Sequence, residues 1–269
     1  MTVNTHLVNL ASDLVLSSTE KESITTSINT LSLRLDSYFG SDIREYFQFG
    51  SNSRGTILPR KADSNSDIDY MVVFNTSDGQ KKPQTYLDQL KIFVEKRYST
   101  SEIYQSRPTI VLSLNHIRFE LVPAINHIRF ALVPAINNYG YQIPSPISSW
   151  MPTDPSSANK IIMDKNNANN YQIKPLVRLI KYWNAKQGHP LDSFHIEKHI
   201  VDESYWSCVL LKDYFYAFWE GFKCTYDTAQ YIKDKVERAK KHAATAKQYE
   251  ETRMPISAKE EIQKIVPLL

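Results

Sequence analysis

Two acidic residues one position apart, Asp67 and Asp69 in the stretch SDIDYMVVF, carry the most chemical content in this chain. Side chains alternate along a strand, so both carboxylates project from one face while Ile68 points into a core. Like charges held that close repel, and each raises the other's pKa unless a cation sits between them, which makes the arrangement suit Mg²⁺. An isolated D-x-D is more often a solvated strand start with two exposed acids. The apolar run MVVF after it and the Gly-Ser before it shift that balance. The earlier piece, FGSNSRGT, reads as a strand that ends in Gly50-Ser51 and turns into a helix. Such a turn leaves backbone N–H groups and a hydroxyl at the positive end of the helix dipole, which suits a triphosphate. Taken alone, Gly-Ser followed by Arg54-Gly55-Thr56 reads equally as a plain turn, with Arg54 and Thr56 bracing it. A third carboxylate, Glu120 in HIRFELV, shares a strand face with Arg118 and His116, opposite Ile117, Phe119 and Leu121. A neighbouring strand would aim Glu120 at the same metal ions; the alternative is a surface Glu paired with Arg118.

The elements that must position these groups follow from periodicity. Thr19-Glu20-Lys21-Glu22 fits a capping box, and Ile24, Ile28, Leu31 and Leu35 then fall on one face of a helix ending near Gly40. From Tyr46 to Val122 the pattern changes to short strands, YFQFG, SDIDYMVVF and TIVLSLNHIRFELV, with the helical stretch QTYLDQLKIFVEKRY between the second and third. Residues 137–170 are rich in Pro, Asn and Ser but keep aromatics and Ile, as a wrapping crossover between two lobes would. Beyond it, IKPLVRLIKYWNAKQG, FHIEKHIV, SYWSCVLLKDYFYAFWEGF and TAQYIKDKVERAKKHAATAKQYEE carry helical periodicity, with Gly188 and Gly221 as stops. Lys174, Arg178 and Lys181 form a basic stripe on one helix face opposite Leu176, Ile180 and Trp183, a pattern that is ordinarily a solvated face. Ser193 before Phe194 fits the N-cap of the next helix. Tyr70, Tyr182 and Trp183 are candidates for stacking on a base, with core packing as the commoner fate.

Bulk properties bound the function. The chain has 269 residues, 42% hydrophobic and 23% charged, enough for one large domain or two lobes. A net charge of +3 is compatible with an anionic ligand and too small for a sequence-independent binder of duplex DNA. Cys208 and Cys224 lack a C-x-x-C spacing and read as a buried, reduced pair. The N-terminus lacks the basic region and small-residue cleavage site of a secretion signal, and the longest apolar run is broken by Lys212 and Asp213, so a soluble cytoplasmic protein is expected.

FGSNSRGT, SDIDYMVVF and FELVPAI resemble, in order, the G-S, D-x-D and third-acid motifs of the DNA polymerase β superfamily of nucleotidyltransferases. Within it they resemble the bacterial cGAS/DncV-like (SMODS) synthetases of antiphage defence. IKPLVRLIKYWN and SFHIE look like the second-lobe motifs of that family, so the resemblance covers most of Asp42 to Ile200; beyond Trp206 no motif is recognisable. It implies an α+β, bilobed polymerase-β-like fold: N-terminal helices and a catalytic core with a mixed sheet over 1–145, then a crossover and helical lobe over 146–269. It implies that Gly50 and Ser51 hold the β- and γ-phosphates, that Asp67, Asp69 and Glu120 are the catalytic, metal-binding acids, and that Lys181 and Ser193 grip the triphosphate. Two Mg²⁺ ions, or Mn²⁺, would be the cofactors, and nucleoside triphosphates the substrates. The product would be a cyclic or linear oligonucleotide messenger, made without a template, that acts on a downstream effector protein; no membrane partner is expected. The rivals are a nucleotidyltransferase toxin that modifies tRNA or a protein hydroxyl, and a nucleotide-binding regulator without turnover.

One feature is foreign to any single domain. Residues 115–136 read NHIRFELVPAI and then NHIRFALVPAI, identical at ten of eleven positions and different only in Glu120 against Ala131. Divergence confined to a presumptive metal ligand points to a deliberate Glu→Ala substitution whose altered segment was inserted beside the original; natural duplication is the alternative. Both copies bring the same core face to one strand slot, and the connections decide between them. A short hairpin from TIVLSL favours the first copy, which leaves Glu120 in the site. A single strand through both copies is not expected, because Pro123 and Pro134 fit poorly inside a central strand.

Overall fold

The computed structural model describes residues 2–106, 108–127, 140–145 and 149–269. Two compact units divide it. A sheet unit comprises residues 17–54 and 65–159, and a helical unit comprises 1–16, 55–64 and 160–269. The expected boundary near residue 145 is a single cut, whereas the structure groups α1 (Val3–Asp13) and the segment 55–64 with the later helices. The reason lies in α1 itself. Val3, Leu7 and Leu10 line one face and are fully buried, with Leu14 just beyond, so the helix lies in the helical core.

The sheet unit begins with α2 (Ser18–Phe39). Its capping box is Ser17 with Glu20, two residues earlier than Thr19 with Glu22: the Glu20 N–H donates to Ser17 Oγ at 3.2 Å and the Ser17 N–H to Glu20 Oε2 at 2.9 Å. Ile24, Ile28, Leu31 and Leu35 form its buried face, and Gly40, at φ +52°, ends it. Among the described residues the sheet has seven strands: β1 (Ile43–Phe49), β2 (Asp67–Phe74), β3 (Glu102–Ser106), β4 (Thr109–Ser113), β5 (Arg118–His127), β6 (Gly140–Pro144) and β7 (Trp150–Thr153). Its main order is β1-β2-β5-β4-β3, with β6 paired to the far end of β5 and β7 to β6. The β2–β5 pair is parallel and every other pair antiparallel, so the sheet is mixed as expected. The crossover from β2 to the β3–β4 hairpin runs through α4 (Pro83–Arg97), whose Tyr86, Leu87, Leu90, Phe93 and Val94 are buried. On one sheet face Met71, Val73 and Ala124 pack with Phe47, Phe49, Tyr141 and Ile143.

Pro123 lies inside β5, beside Val72 of β2. It falls between the stretch of β5 paired to β4, which ends at Leu121, and the stretch paired to β6, which starts at Ile125. That break in one ladder is the kind of place where a strand tolerates proline. Pro123 thus sits inside a strand, against expectation, and β5 takes in Asn126 and His127 of the second copy, while Ala131 and Pro134 lie outside the described residues.

The helical unit contains α6 (Ile173–Lys186), α7 (Ser193–Asp202), α8 (Leu211–Gly221), α9 (Gln230–Glu251) and α10 (Pro255–Ile265), with α5 (Pro155–Ala168) belonging to it from Lys160 on. The Pro-, Asn- and Ser-rich crossover thus contains β6, β7 and all of α5, not free linker. α6 is the central helix: Ile173, Leu176, Val177, Leu179, Ile180, Tyr182 and Trp183 are buried around most of its circumference. Trp183 meets Trp219 of α8 edge to face, ring centroids 4.8 Å apart. The helical pattern expected from Ser204 onward starts only at Leu211, where Asp213 accepts the N–H groups of Val209 and Leu210. Cys208 and Cys224 flank α8 as free, half-buried thiols, not wholly buried ones. No helix among the described residues is long and apolar enough to cross a membrane.

Candidate active site

The acids are gathered by strand pairing. In the parallel β2–β5 register Asp67 stands beside Arg118 and Asp69 beside Glu120. On both strands the polar residues alternate with fully buried ones, Ile68 on β2 and Phe119 and Leu121 on β5, so all four side chains share the face away from that core. This slot is filled by the first copy of the repeat, with its Glu.

β1 ends opposite Asp69, where Phe49 pairs with it, and the chain turns at once into α3 (Gly50–Arg54). Gly50 is buried at φ +71°, and a Cβ there would fall on the Asp69 carboxylate. Only glycine lets the backbone approach that closely without strain. The strand–Gly-Ser–helix turn is therefore pressed against the D-x-D strand. Ser53 Oγ donates to the Gly50 carbonyl at 2.9 Å and to Asn159 Oδ1 at 3.3 Å, which braces the turn.

Arg118 binds the acids together. Its Nη2 donates to Asp67 Oδ2 at 2.8 Å and to the Asn65 carbonyl at 2.8 Å, and lies 3.7 Å from Glu120 Oε1. The expected alternative, a Glu120–Arg118 surface pair, is the longer of its two ion pairs. Burial, and next the Asp67 charge, push the Glu120 carboxyl up to about 7, with Arg118 opposing. Half-buried carboxylates in this state gain from a further cation. Among the described residues no three His, Cys, Asp or Glu side chains converge on a single point. The donor set still fits Mg²⁺: hard carboxylate oxygens on adjacent strands, with a glycine cradle against one of them.

The remaining candidates lie in the helical unit. Lys181 is buried, its Nζ 3.6 Å from Glu197 Oε1, and Glu197 also accepts from Thr56 Oγ1 at 2.7 Å. The basic stripe is therefore not a solvated face. Arg178 is likewise held inside, donating to the carbonyls of Ala11 and Gly55 at 3.2 and 3.1 Å, and burial lowers its pKa to about 10. Ser193 is the first residue of α7, and the N-cap is Asp192, which accepts the His195 N–H at 2.9 Å. The aromatics offered for base stacking are core: Tyr182 and Trp183 are buried, and Tyr70 bonds Ser32 Oγ at 2.8 Å, its phenol raised to about 12 by burial. Sequence reasoning missed the Arg118–Asp67 bond, whose signal, a strand register, exists only in the folded sheet.

A mixed sheet that sets a D-x-D strand beside a third-acid strand, after a Gly-Ser turn and before a run of helices, defines a nucleotidyltransferase of the cGAS/DncV-like type. Residues 1–166 match the family model of the Second Messenger Oligonucleotide or Dinucleotide Synthetase (SMODS) domain. The chain belongs to that family, whose nucleotidyltransferases typically use divalent metals. Among solved structures, CdnC of E. coli MS115-1 with ATP is similar at 16% identity and a TM-score of 0.72, covering 99% of this chain and 98% of that one. CdnG of Bradyrhizobium diazoefficiens in complex with GTP aligns at 11% identity, TM-score 0.72, over 98% of both chains. DncV cyclic AMP-GMP synthase of Vibrio cholerae, in complex with the linear intermediate pppA(3′,5′)pG, aligns at 11% identity, TM-score 0.71, over 87% of both. At these identities the likeness is one of fold. No curated protein matches the sequence.

Proposed function

We propose that this chain is a template-independent, Mg²⁺-dependent nucleotidyltransferase that joins nucleoside triphosphates into cyclic or linear oligonucleotide messengers, which act on an effector protein in antiphage defence. The observation that carries the reading is the juxtaposition of Asp67 and Asp69 on β2 with Glu120 on β5, under the Gly50 turn. Bound Mg²⁺ would supply charge neutralisation at the α-phosphate and lower the pKa of the attacking hydroxyl. The two Asp carboxylates and Glu120 would hold the ions, and the Gly50–Ser51 backbone would take the β- and γ-phosphates. Lys181 and Ser193 belong to the same reading by family resemblance, as ligands of the triphosphate.

The repeat fits this reading as an altered Glu→Ala segment inserted beside the original, with Glu120 retained as the working acid. A nucleotide-binding regulator without turnover becomes realistic if Ala131 occupies that strand slot; Glu120 on β5, beside Asp69, supports the enzyme reading. The test is incubation of the full chain with all NTPs and dNTPs and Mg²⁺, with products identified by mass spectrometry. Free oligonucleotide that disappears in Asp67→Ala and Asp69→Ala is the expected result. Labelled macromolecule without free oligonucleotide would establish the toxin instead, and triphosphate binding without pyrophosphate release the regulator.

A further inference from the structure

Within the nucleotidyltransferase reading on which this inference rests, Arg118 has no role, yet it is bonded to one of the acids and lies close to another. We propose that Arg118 is a built-in counter-cation, a positioning residue that bridges Asp67 and Glu120 in the metal-free protein and must release Asp67 when a divalent ion binds, so that it sets the affinity of the site for metal.

The geometry carries this. Arg118 lies directly opposite Asp67 in the parallel register, two residues before Glu120 on the same face of β5. One nitrogen, Nη2, serves Asp67 Oδ2, the Asn65 carbonyl and, more distantly, Glu120 Oε1. The contact with Asn65 is one it can keep after it leaves Asp67. Its Nε is buried with no hydrogen-bond partner. The Arg118 side chain is only 23% exposed, so its charge is weakly screened.

Two consequences follow from charge alone. Without metal, the Asp67 and Glu120 carboxylates on adjacent strands repel, and a cation between them relieves the repulsion. With metal, the same guanidinium repels the incoming ion and competes for the Asp67 oxygen. A lysine would be a poor substitute, since a point charge on a flexible stem does not reproduce the planar fork.

The test uses the full chain without nucleotide and Mn²⁺ as the probe, followed by calorimetry, with thermal melts in EDTA and in saturating Mn²⁺. Arg118→Gln is expected to tighten the Mn²⁺ dissociation constant about five-fold or more, to lower Tm in EDTA, and to regain the wild-type Tm in saturating Mn²⁺. An unchanged or weakened dissociation constant in a variant that melts cooperatively overturns the proposal. Should Arg118→Gln not fold, the wild-type protein decides: the Arg118 Nε–H resonance, assigned by its loss in Arg118→Lys, is expected to shift during a Mg²⁺ titration with the midpoint of binding, and a stationary resonance overturns the proposal. Failure of the underlying reading looks different: wild-type protein would bind no Mn²⁺, or would bind it undiminished in Asp69→Asn.

Discussion

Asp69 and Glu120 stand side by side on the parallel strands β2 and β5, and the residue after β1, Gly50, closes on the Asp69 carboxylate from the other side. Three distant pieces of chain are thereby brought to one spot by two strand registers. β1 fixes the turn against Asp69, and β5 fixes the third acid. Neither contact depends on a long side chain finding its place, so the arrangement is as stiff as the sheet.

Gly50 should tolerate no side chain. In Gly50→Ala the new methyl meets the Asp69 carboxylate and the left-handed backbone becomes strained, a loss of about 1–3 kcal/mol. The expected outcome is a lower Tm together with loss of Mn²⁺ binding. Normal metal affinity in Gly50→Ala would show that the turn does not bear on Asp69.

Glu120 should make the metal-free protein pH-sensitive. Its pKa, raised from 4.5 to about 7, means that the folded state holds this proton more tightly than the unfolded chain does. The resulting stabilisation is complete below about pH 4.5 and is lost as pH rises through about 7. In EDTA, Glu120→Gln should therefore gain stability relative to wild type on going from pH 5 to pH 8, and Mn²⁺ affinity of the wild type should rise over that interval as the proton is displaced. Melts of both proteins at several pH values measure this; parallel curves would remove Glu120 as the titrating group.

The site was more legible than its surroundings, and the reason is period. Asp67, Asp69 and Glu120 sit on strands whose alternation is read directly from SDIDYMVVF and HIRFELV, so the shared face followed from spacing. Arg118's preference for Asp67 over Glu120 did not, because it depends on which residues of two distant strands are neighbours. Caps were read one or two residues off. Ser17 and Thr19 each precede a Glu by three positions, and Asp192 and Ser193 are adjacent capping types, so local sequence leaves two registers where packing chooses one. α5 was invisible because PSSANKIIMDKNNA is polar and Asn-rich, with Ile162 and the first residue, Pro155, as its buried apolar anchors. On α6, Lys and Arg at helical spacing suggested solvent, whereas Glu197 and backbone carbonyls hold Lys181 and Arg178 inside.

That buried pair complicates any mutagenesis of Lys181. Removing one partner of a buried ion pair costs about 3–5 kcal/mol, because the other charge loses compensation. Thr56 still donates to Glu197, so the lower end is expected for Lys181→Met. Lys181→Met/Glu197→Gln should recover much of that stability. If the double variant melts near wild type and still binds ATP weakly, Lys181 contacts the triphosphate; if ATP affinity returns with stability, its role was structural. Urea unfolding of the two variants beside Glu197→Gln completes the cycle.

Excision of residues 126–136 should leave the site intact. β5 pairs Ile125 with Gln142 and Asn126 with Tyr141, and the deletion joins Ile125 to Asn137, which restores the same Ile-Asn step. Asn137 then inherits the place opposite Tyr141, and Asn138-Tyr139-Gly140 remains as a three-residue connection with glycine last, a sequence suited to a tight hairpin. Shortening the connection favours folding by about 1 kcal/mol through loop entropy. The shortened chain is expected to melt at or above the temperature of the full one, with the same Mn²⁺ affinity and the same oligonucleotide products. Glu120→Ala in the shortened chain should abolish product, whereas Ala131→Glu in the full chain should change nothing. Product formation that survived Glu120→Ala, or that required Glu at 131, would place the working acid in the second copy.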